Sequence, residues 1–498
     1  MKKLFTMLVA SVCCTMAYAQ TISVKDVNVA KGGTGQVEVS IANPTNYTAF
    51  QFDLKLPAGV SVKEAKLKGE YGTSRHFLNG KVGDKVRFLS YDDANAKLAD
   101  GEKVLLTLEA TEEAETAALT GDGIVIVDPA GASVGGEETA TANINVSEGV
   151  KIEIPAGGKT TYVSSKDLDF SGLTDVKAYI ATAYDKVTTE VWLTRVKDVP
   201  ANTPIWVSGP AGTTPTIPEG TSKTYYPTNL LVGSATASID IPAESDDYLN
   251  WTLGKDGSLA KRASGITGFP AGKAYLHLPK TITSSVSTAQ SVALTAKGNK
   301  RAYVAPCDLD FSDVEGLKAY VVTGFDKDGI IWLTRVMKVS VNTPVYLKGE
   351  KSDPYSIPST AVEMSVVNML KGDAVNTTAL TVIDGEFTTC VLSKSGGEYL
   401  PLGADVAAFP AGTAYLPLPT SFITPVAKTR GSSVVNLIEL EPEVIKISLN
   451  GLDGGTTGIS RIAAEDGNDT WYNLSGQRIS TPTKKGLYIK NGKKVIVK

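Results

Sequence analysis

Gly35-Gln36-Val37-Glu38-Val39-Ser40-Ile41 decides the fold class, because Val37, Val39 and Ile41 alternate with Gln36, Glu38 and Ser40. A period of two puts one side of a segment in a core and the other in water, the signature of a β-strand. Phe50, Phe52, Leu54 and Leu56 alternate in the same way with Gln51, Asp53 and Lys55. Further runs follow at Val86 to Leu89, Val104 to Leu108 and Ile124 to Val127, and Asn43-Pro44 and Pro57-Ala58-Gly59 punctuate them as turns. Strands this short and this evenly spaced predict an antiparallel sandwich over residues 20–147.

Upstream, Lys2 and Lys3 precede a mostly apolar stretch from Leu4 to Val12, and Ala17-Tyr18-Ala19 stands before Gln20. A positive head, an apolar core too short to span a bilayer and an A-x-A site predict a signal peptide over 1–19, cleaved between Ala19 and Gln20. Cys13 and Cys14 leave a lipoprotein reading open, although Ser11 and Val12 are poor context for lipid attachment. The rest of the 498 residues contains no other apolar run near the length of a transmembrane helix. With 49 Lys and Arg against 53 Asp and Glu the formal charge is −4, and losing Lys2 and Lys3 takes it to −6. That balance argues against nucleic acid or a polybasic membrane contact.

From residue 151 the chain repeats itself. Asp167-Leu168-Asp169-Phe170-Ser171 returns as Asp308-Leu309-Asp310-Phe311-Ser312, 141 positions on, and Trp192-Leu193-Thr194-Arg195-Val196 returns as Trp332-Leu333-Thr334-Arg335-Val336, 140 on. Lys177-Ala178-Tyr179 matches Lys318-Ala319-Tyr320, Asn202-Thr203-Pro204 matches Asn342-Thr343-Pro344, and Phe269-Pro270-Ala271-Gly272 matches Phe409-Pro410-Ala411-Gly412. The near-constant offset means two tandem copies of one module, 151–294 and 295–440, each rich in strand formers and in Pro and Gly turns. Residues 441–460 read as a linker, with Asn450-Gly451-Leu452-Asp453-Gly454-Gly455 at its heart, and 461–498 as a C-terminal segment. From 471 onward that segment has seven Lys and Arg and no acid, and Asn491-Gly492 between Leu487-Tyr488-Ile489 and Val495-Ile496-Val497 predicts a two-residue hairpin. The expected fold is all-β: an N-terminal jelly-roll sandwich, two tandem β domains and a small C-terminal β hairpin or sandwich.

Three resemblances add to these readings. The strand succession Gly35 to Ile41, Ala49 to Leu54, Val86 to Leu89 and Asp100 to Leu105 resembles the cohesin-like domains, which share a jelly-roll sandwich with several carbohydrate-binding modules. That likeness implies binding, of a protein module or a polysaccharide, and not chemistry. The two repeats resemble the AYIAT-type β modules found in tandem in exported proteins of Gram-negative bacteria. The tail, from Trp471-Tyr472 through Lys485-Gly486-Leu487-Tyr488-Ile489 to Lys498, resembles the C-terminal sorting domain of the type IX secretion system. It implies that outer-membrane secretion machinery reads Gly486, Tyr488, Gly492, Lys493, Lys494 and Lys498.

The mature chain keeps two cysteines, Cys307 and Cys390. An oxidising compartment favours pairing them, and closing that loop would contribute on the order of 4 kcal/mol. The competing reading is a pair of small buried hydrophobes. Neither is repeated: Lys166 stands where the second copy has Cys307, and aligning Leu253 with Leu392 puts Trp251 opposite Cys390. Among the repeated residues, Trp192 and Trp332 offer rings that could stack on sugars, with Arg195 and Arg335 beside them, although a Trp in an apolar strand is more often core.

Catalytic constellations are missing. Only His76 and His277 occur, which excludes a multi-His metal site and disfavours a His-based triad. Gly131-Ala132-Ser133-Val134-Gly135 fits G-x-S-x-G formally but lacks the helix that a nucleophile elbow needs. Asp167-Leu168-Asp169-Phe170-Ser171-Gly172 begins like a calcium loop but has Ala178 where the bidentate acid belongs. The expectation is an exported, non-enzymatic binding protein at the cell surface or outside the cell, with no cofactor. The alternative is a structural surface or adhesin stalk with no specific small ligand.

Overall fold

The computed structural model describes residues 21–42, 47–68, 73–98, 102–135, 140–222, 224–226, 229–294, 298–326, 331–393, 398–422, 435–436, 444–449, 460–462, 471–472, 478–479, 486–490 and 493–497. Apart from one 3-10 turn at Thr420–Phe422, every regular element among them is a strand, so the fold is all-β. It divides into two compact units. One comprises Met1–Ile180, Val196–Pro279 and Asp326–Asp328; the other comprises Ala181–Arg195, Lys280–Phe325 and Gly329–Lys498.

The first unit begins with a sandwich of eleven strands: β1 Thr21–Val24, β2 Val27–Ala30, β3 Thr34–Ala42, β4 Ala49–Lys55, β5 Val60–Leu67, β6 Arg75–Val82, β7 Lys85–Asp92, β8 Glu102–Ala110, β9 Ala117–Val127, β10 Ser133–Gly135 and β11 Ala140–Ser147. One sheet runs β1-β3-β8-β5, the other β2-β11-β9-β4-β7-β6 with β10 on the edge of β9. The β11 and β2 pair is parallel, Ile144 facing Val27, and the other pairs are antiparallel. The alternation seen in β3 and β4 fills the space between the sheets: Val37, Val39 and Ile41 face Phe50, Phe52 and Leu54 in one core with Phe88, Val104, Leu106 and Leu108. Phe52 stacks on Phe88 with centroids 5.0 Å apart. Opposite Phe52 the register of β9 slips, and Gly123 takes the left-handed φ of +63° that this bulge requires.

Most of the rest of the first unit belongs to the first repeat. Its sheet pairs Lys159–Val163 with Pro204–Ser208, and Lys177 to Tyr179 with Ser208 to Trp206. A second sheet joins Leu231–Gly233, Ala274–Pro279, Tyr248–Leu253 and Leu259–Lys261. Sandwich and repeat meet closely. A side chain on Gly172 would fall 2.8 Å from the Gln36 nitrogen, Asn28 Nδ2 donates to Asp169 Oδ2 at 2.7 Å, and the Glu219 amide donates to Ser147 Oγ at 3.0 Å.

The second unit repeats these pairings. Lys300–Val304 lies against Pro344–Gly349, which lies against Leu317–Asp326 and then Ile331–Val336. Phe387–Leu392 pairs with Tyr415–Pro419 as Tyr248–Leu253 pairs with Ala274–Pro279. Two further segments join this unit. Ala183 to Asp185 pair with Val366 to Met364, and Glu190 to Thr194 pair with Ser448 to Val444. Val444–Ser448 lies inside the stretch read as a linker, and it is a strand because Val444, Ile447 and Leu449 find buried places. The expected C-terminal hairpin forms, with Lys490 paired to Lys493 and Gly486 to Val497.

Candidate functional site

The repeated motifs turn out to be scaffolding. Asp167 accepts the amides of Ala201 at 2.7 Å and Ser222 at 2.9 Å, and Asp308 accepts the equivalent amides of Val341 and Val362, each at 2.8 Å. Asp169 and Asp310 cap the amides two residues on, at Ser171 and Ser312. What began like a calcium loop is therefore a set of backbone caps, and no cluster of metal-binding side chains occurs among the described residues. Asn202 and Asn342 take left-handed φ values of +62° and +61°, each donating its amide at 2.7 Å to a carbonyl, Ser164 or Ala305. Buried Thr182 and Thr194 hydroxyls bond across the first hairpin at 2.8 Å, and Thr323 and Thr334 do so at 3.0 Å across the second.

Trp192, 5% exposed, packs in a core with Ala183, Val362, Met364 and Val444. Arg195, Trp332 and Arg335 are half-buried on the equivalent strands, while Trp192 is taken up in that core. Cys307 and Cys390 are buried, free thiols, so the bridge weighed above is not formed. Cys307 lies in the core of the second repeat with Tyr303 and Val345, while Cys390 faces Pro401 and Leu416, where burial pushes its thiol up to about 12. Ser133 opens edge strand β10 opposite Val127, a position unlike a strand-to-helix elbow. In the tail Gly486 and Tyr488 lie on one strand and Lys493 and Lys494 on its partner, with Tyr488 facing Val495. Ala19, Gln20, Gly492 and Lys498 lie outside the described residues.

An open surface with no candidate site residue of the sequence analysis on it lies on the outer face of the β9-β4-β7-β6 sheet. The register aligns His76 with Tyr91, Leu78 with Leu89, Gly80 with Arg87 and Val82 with Lys85. The next strands continue two of these rows. Leu89 faces Gln51 and then Val125, and Arg87 faces Asp53 and then Asp122. Leu78, Val82 and Tyr91 are exposed by 53%, 46% and 38%, which puts three exposed large apolar side chains of the described residues on one hairpin. His76 stacks on Tyr91 at 4.7 Å and meets Asp93 through Nε2 at 2.8 Å. Among the described residues nothing roofs this row at its centre: a side chain built on Gly80 would meet nothing within 4 Å.

Beside the apolar stripe the charges are matched. Arg87 forks onto Asp53 with both contacts at 2.8 Å, and Lys85 reaches Asp122 at 2.6 Å. The Arg87 guanidinium holds the Asp53 carboxyl below the usual carboxylate range against the upward push of burial. At its base the hairpin is pinned from inside. Arg75 donates to the Thr48 carbonyl at 2.6 Å, and Asp92 accepts the Ala94 and Ala96 amides at 2.8 and 3.1 Å. The Ala96 amide, foremost among these donors, keeps Asp92 ionised below the usual range. A flat face with an apolar stripe and neutralised charges fits another macromolecular surface better than it fits a small substrate.

No family model matches the chain, and no curated protein matches it. Solved structures do. A non-cellulosomal cohesin from the hyperthermophilic archaeon Archaeoglobus fulgidus is 22% identical, covering 26% of this chain and 91% of its own, with a TM-score of 0.21. A cohesin module of a family 33 glycoside hydrolase from Clostridium perfringens is 19% identical over 26% of this chain and 97% of its own, with a TM-score of 0.22. The full-length major pilin SpaD of Corynebacterium diphtheriae is 16% identical, over 41% of this chain and 51% of its own, with a TM-score of 0.19.

Proposed function

We propose that this chain is an exported, non-enzymatic binding protein of a Gram-negative cell surface whose sandwich takes a protein module on the outer face of the β9-β4-β7-β6 sheet. The observation that carries the reading is the exposed stripe of Leu78, Val82 and Tyr91 on one hairpin. A stripe of this kind marks an interaction site more often than an idle surface. The partner would bring an apolar ridge of its own, since Arg87 and Lys85 beside the stripe already have Asp53 and Asp122 as counter-charges. The test is capture of surface proteins of the exporting cell by the immobilised mature chain and by its Leu78→Glu variant. A binding face predicts a partner held by the first and lost by at least about tenfold in the second, as for a central contact residue. Equal capture by both, or retention of polysaccharide alone, would remove the protein-module reading.

The tail gives the address in this proposal: secretion machinery reads Gly486 and Tyr488 on one strand with Lys493 and Lys494 on the next. Deleting residues 471–498 in the exporting cell is expected to leave the protein folded but absent from the surface, scored by antibody labelling of intact cells. Undiminished surface display would overturn it.

A further inference from the structure

The two repeats share their turns and caps, so positions where they differ are informative. In the first repeat Tyr248 faces Pro279 and Asn250 faces His277 across one strand pair. In the second, Phe387 faces Pro419 and Thr389 faces Pro417 in the same register. Beside this row both copies keep an edge-to-face pair, Phe269 on Tyr275 at 6.1 Å and Phe409 on Tyr415 at 5.9 Å. The scaffold has been kept while Tyr, Asn and His have become Phe, Thr and Pro.

Those three residues of the first repeat are arranged as a platform. Tyr248 stacks flat on His277, centroids 4.1 Å apart and planes 16° from parallel, and His277 meets Tyr275 edge-on at 6.1 Å. Tyr248 is 42% exposed, so its stack is open to solvent. The Ser245 hydroxyl accepts the Tyr248 amide at 3.1 Å and fixes the turn that presents it. Under the stack, buried Asn250 donates through Nδ2 to the Pro242 carbonyl at 2.9 Å, which leaves its Oδ1 to accept from His277 Nδ1 at 2.7 Å. A proton on Nδ1 leaves Nε2 as a bare acceptor in the neutral ring, and burial lowers the His277 pKa in keeping with that state.

We infer that Tyr248, His277 and Asn250 form a glycan site of the first repeat, taking one pyranose ring of a neutral polysaccharide. An aromatic face covers the C–H side of a sugar ring, and a fixed acceptor at its margin takes a hydroxyl. Asp246 and Asp247 in the adjoining exposed turn disfavour an acidic sugar. The site is independent of the sandwich face, and the second repeat, with Phe387, Thr389 and Pro417, lacks its imidazole, amide and phenol groups.

The test uses the full mature chain on an array of neutral and acidic glycans, followed by titration of the strongest neutral glycan. Wild type is expected to hold neutral glycans. Tyr248→Ala and His277→Ala should weaken binding by at least about tenfold, the scale of losing a stacking face or a buried polar contact. Tyr248→Phe, which keeps the stack, should stay within about threefold, and Phe387→Ala should change nothing, with thermal unfolding midpoints checking that each variant is folded. No retained neutral glycan, glycan binding indifferent to Tyr248→Ala, or loss on Phe387→Ala alone would overturn the site. A peptide ligand lost with Tyr248→Ala while no glycan binds would overturn it equally.

Discussion

Replacing Asp308 with Ala is expected to destabilise the second unit by about 3–5 kcal/mol, the scale found when one partner is removed from a fully buried charged network. Asp308 is 0% exposed and accepts four donors: the amides of Ser285, Val341 and Val362 and the hydroxyl of Ser284. Ala supplies no acceptor, so three amides and a hydroxyl are stranded where water does not reach, and each carries its own desolvation cost. Urea unfolding followed by tryptophan fluorescence measures the loss. The first copy provides the comparison. Asp167 is only half-buried and accepts two amides, so Asp167→Ala should cost about 1–2 kcal/mol. Equal losses at the two sites would mean that the buried network has no special weight.

The same residue sets an acid limit. Burial pushes the Asp308 carboxyl up, but the Ser284 hydroxyl and the Val362, Ser285 and Val341 amides outweigh it and hold the pKa below the usual value. A carboxyl whose folded pKa is depressed contributes stability that is complete above the unfolded value of about 3.9 and is lost as pH falls through the folded value. Wild type should therefore lose part of its stability over that acid window, and Asp308→Ala should show a flatter acid limb.

How much of this was legible in the sequence depends on what each residue does locally. The alternation of Val37, Val39 and Ile41 and of Phe50, Phe52 and Leu54 points to a two-sheet core, and that core is what forms. The repeat was equally plain, because residues such as Asn202 and Asn342 sit at left-handed turns where few side chains are tolerated. Its meaning was not. Asp167-Leu168-Asp169 resembles a ligand loop in sequence, yet its donors come from 34 and 55 residues away, which no local pattern reports. The strand at Val444–Ser448 was hidden for a similar reason: a five-residue segment with three apolar residues, close to Gly and Asp, reads as linker until its partner, Glu190 to Thr194, is known. The candidate face was least visible. In β6 the run Arg75-His76-Phe77-Leu78 puts apolar groups on both sides, so periodicity cannot separate Phe77, which packs against the core, from Leu78, which faces out. The three residues of the proposed glycan platform are scattered too, with Tyr248 and Asn250 on one strand and His277 on another that meets it only in the folded sheet.

Phe52→Ala and Leu78→Glu should separate the two sides of the sheet that carries the proposed binding face. Phe52 is wholly buried, stacked on Phe88 at 5.0 Å and on Phe50 at 5.9 Å. Truncating it removes the transfer energy of a benzyl group and opens a cavity that a rigid two-sheet core cannot collapse to fill, so the expected cost is about 3–5 kcal/mol. Leu78 is on the other side and over half exposed, so Leu78→Glu should move stability by no more than about 0.5 kcal/mol while abolishing capture of the partner. The pair of results is needed together. Asp53 and Arg87 on the outer face are carried by the same strands as Phe52 and Phe88 on the inner one, so molecules that unfold lose the outer face together with the core. Phe52→Ala is therefore expected to weaken capture only in proportion to the fraction unfolded, which thermal unfolding and binding measured at the same temperature will show. If Phe52→Ala lost the partner while still fully folded, the binding face would lie nearer the interior of the sandwich than the Leu78, Val82 and Tyr91 stripe.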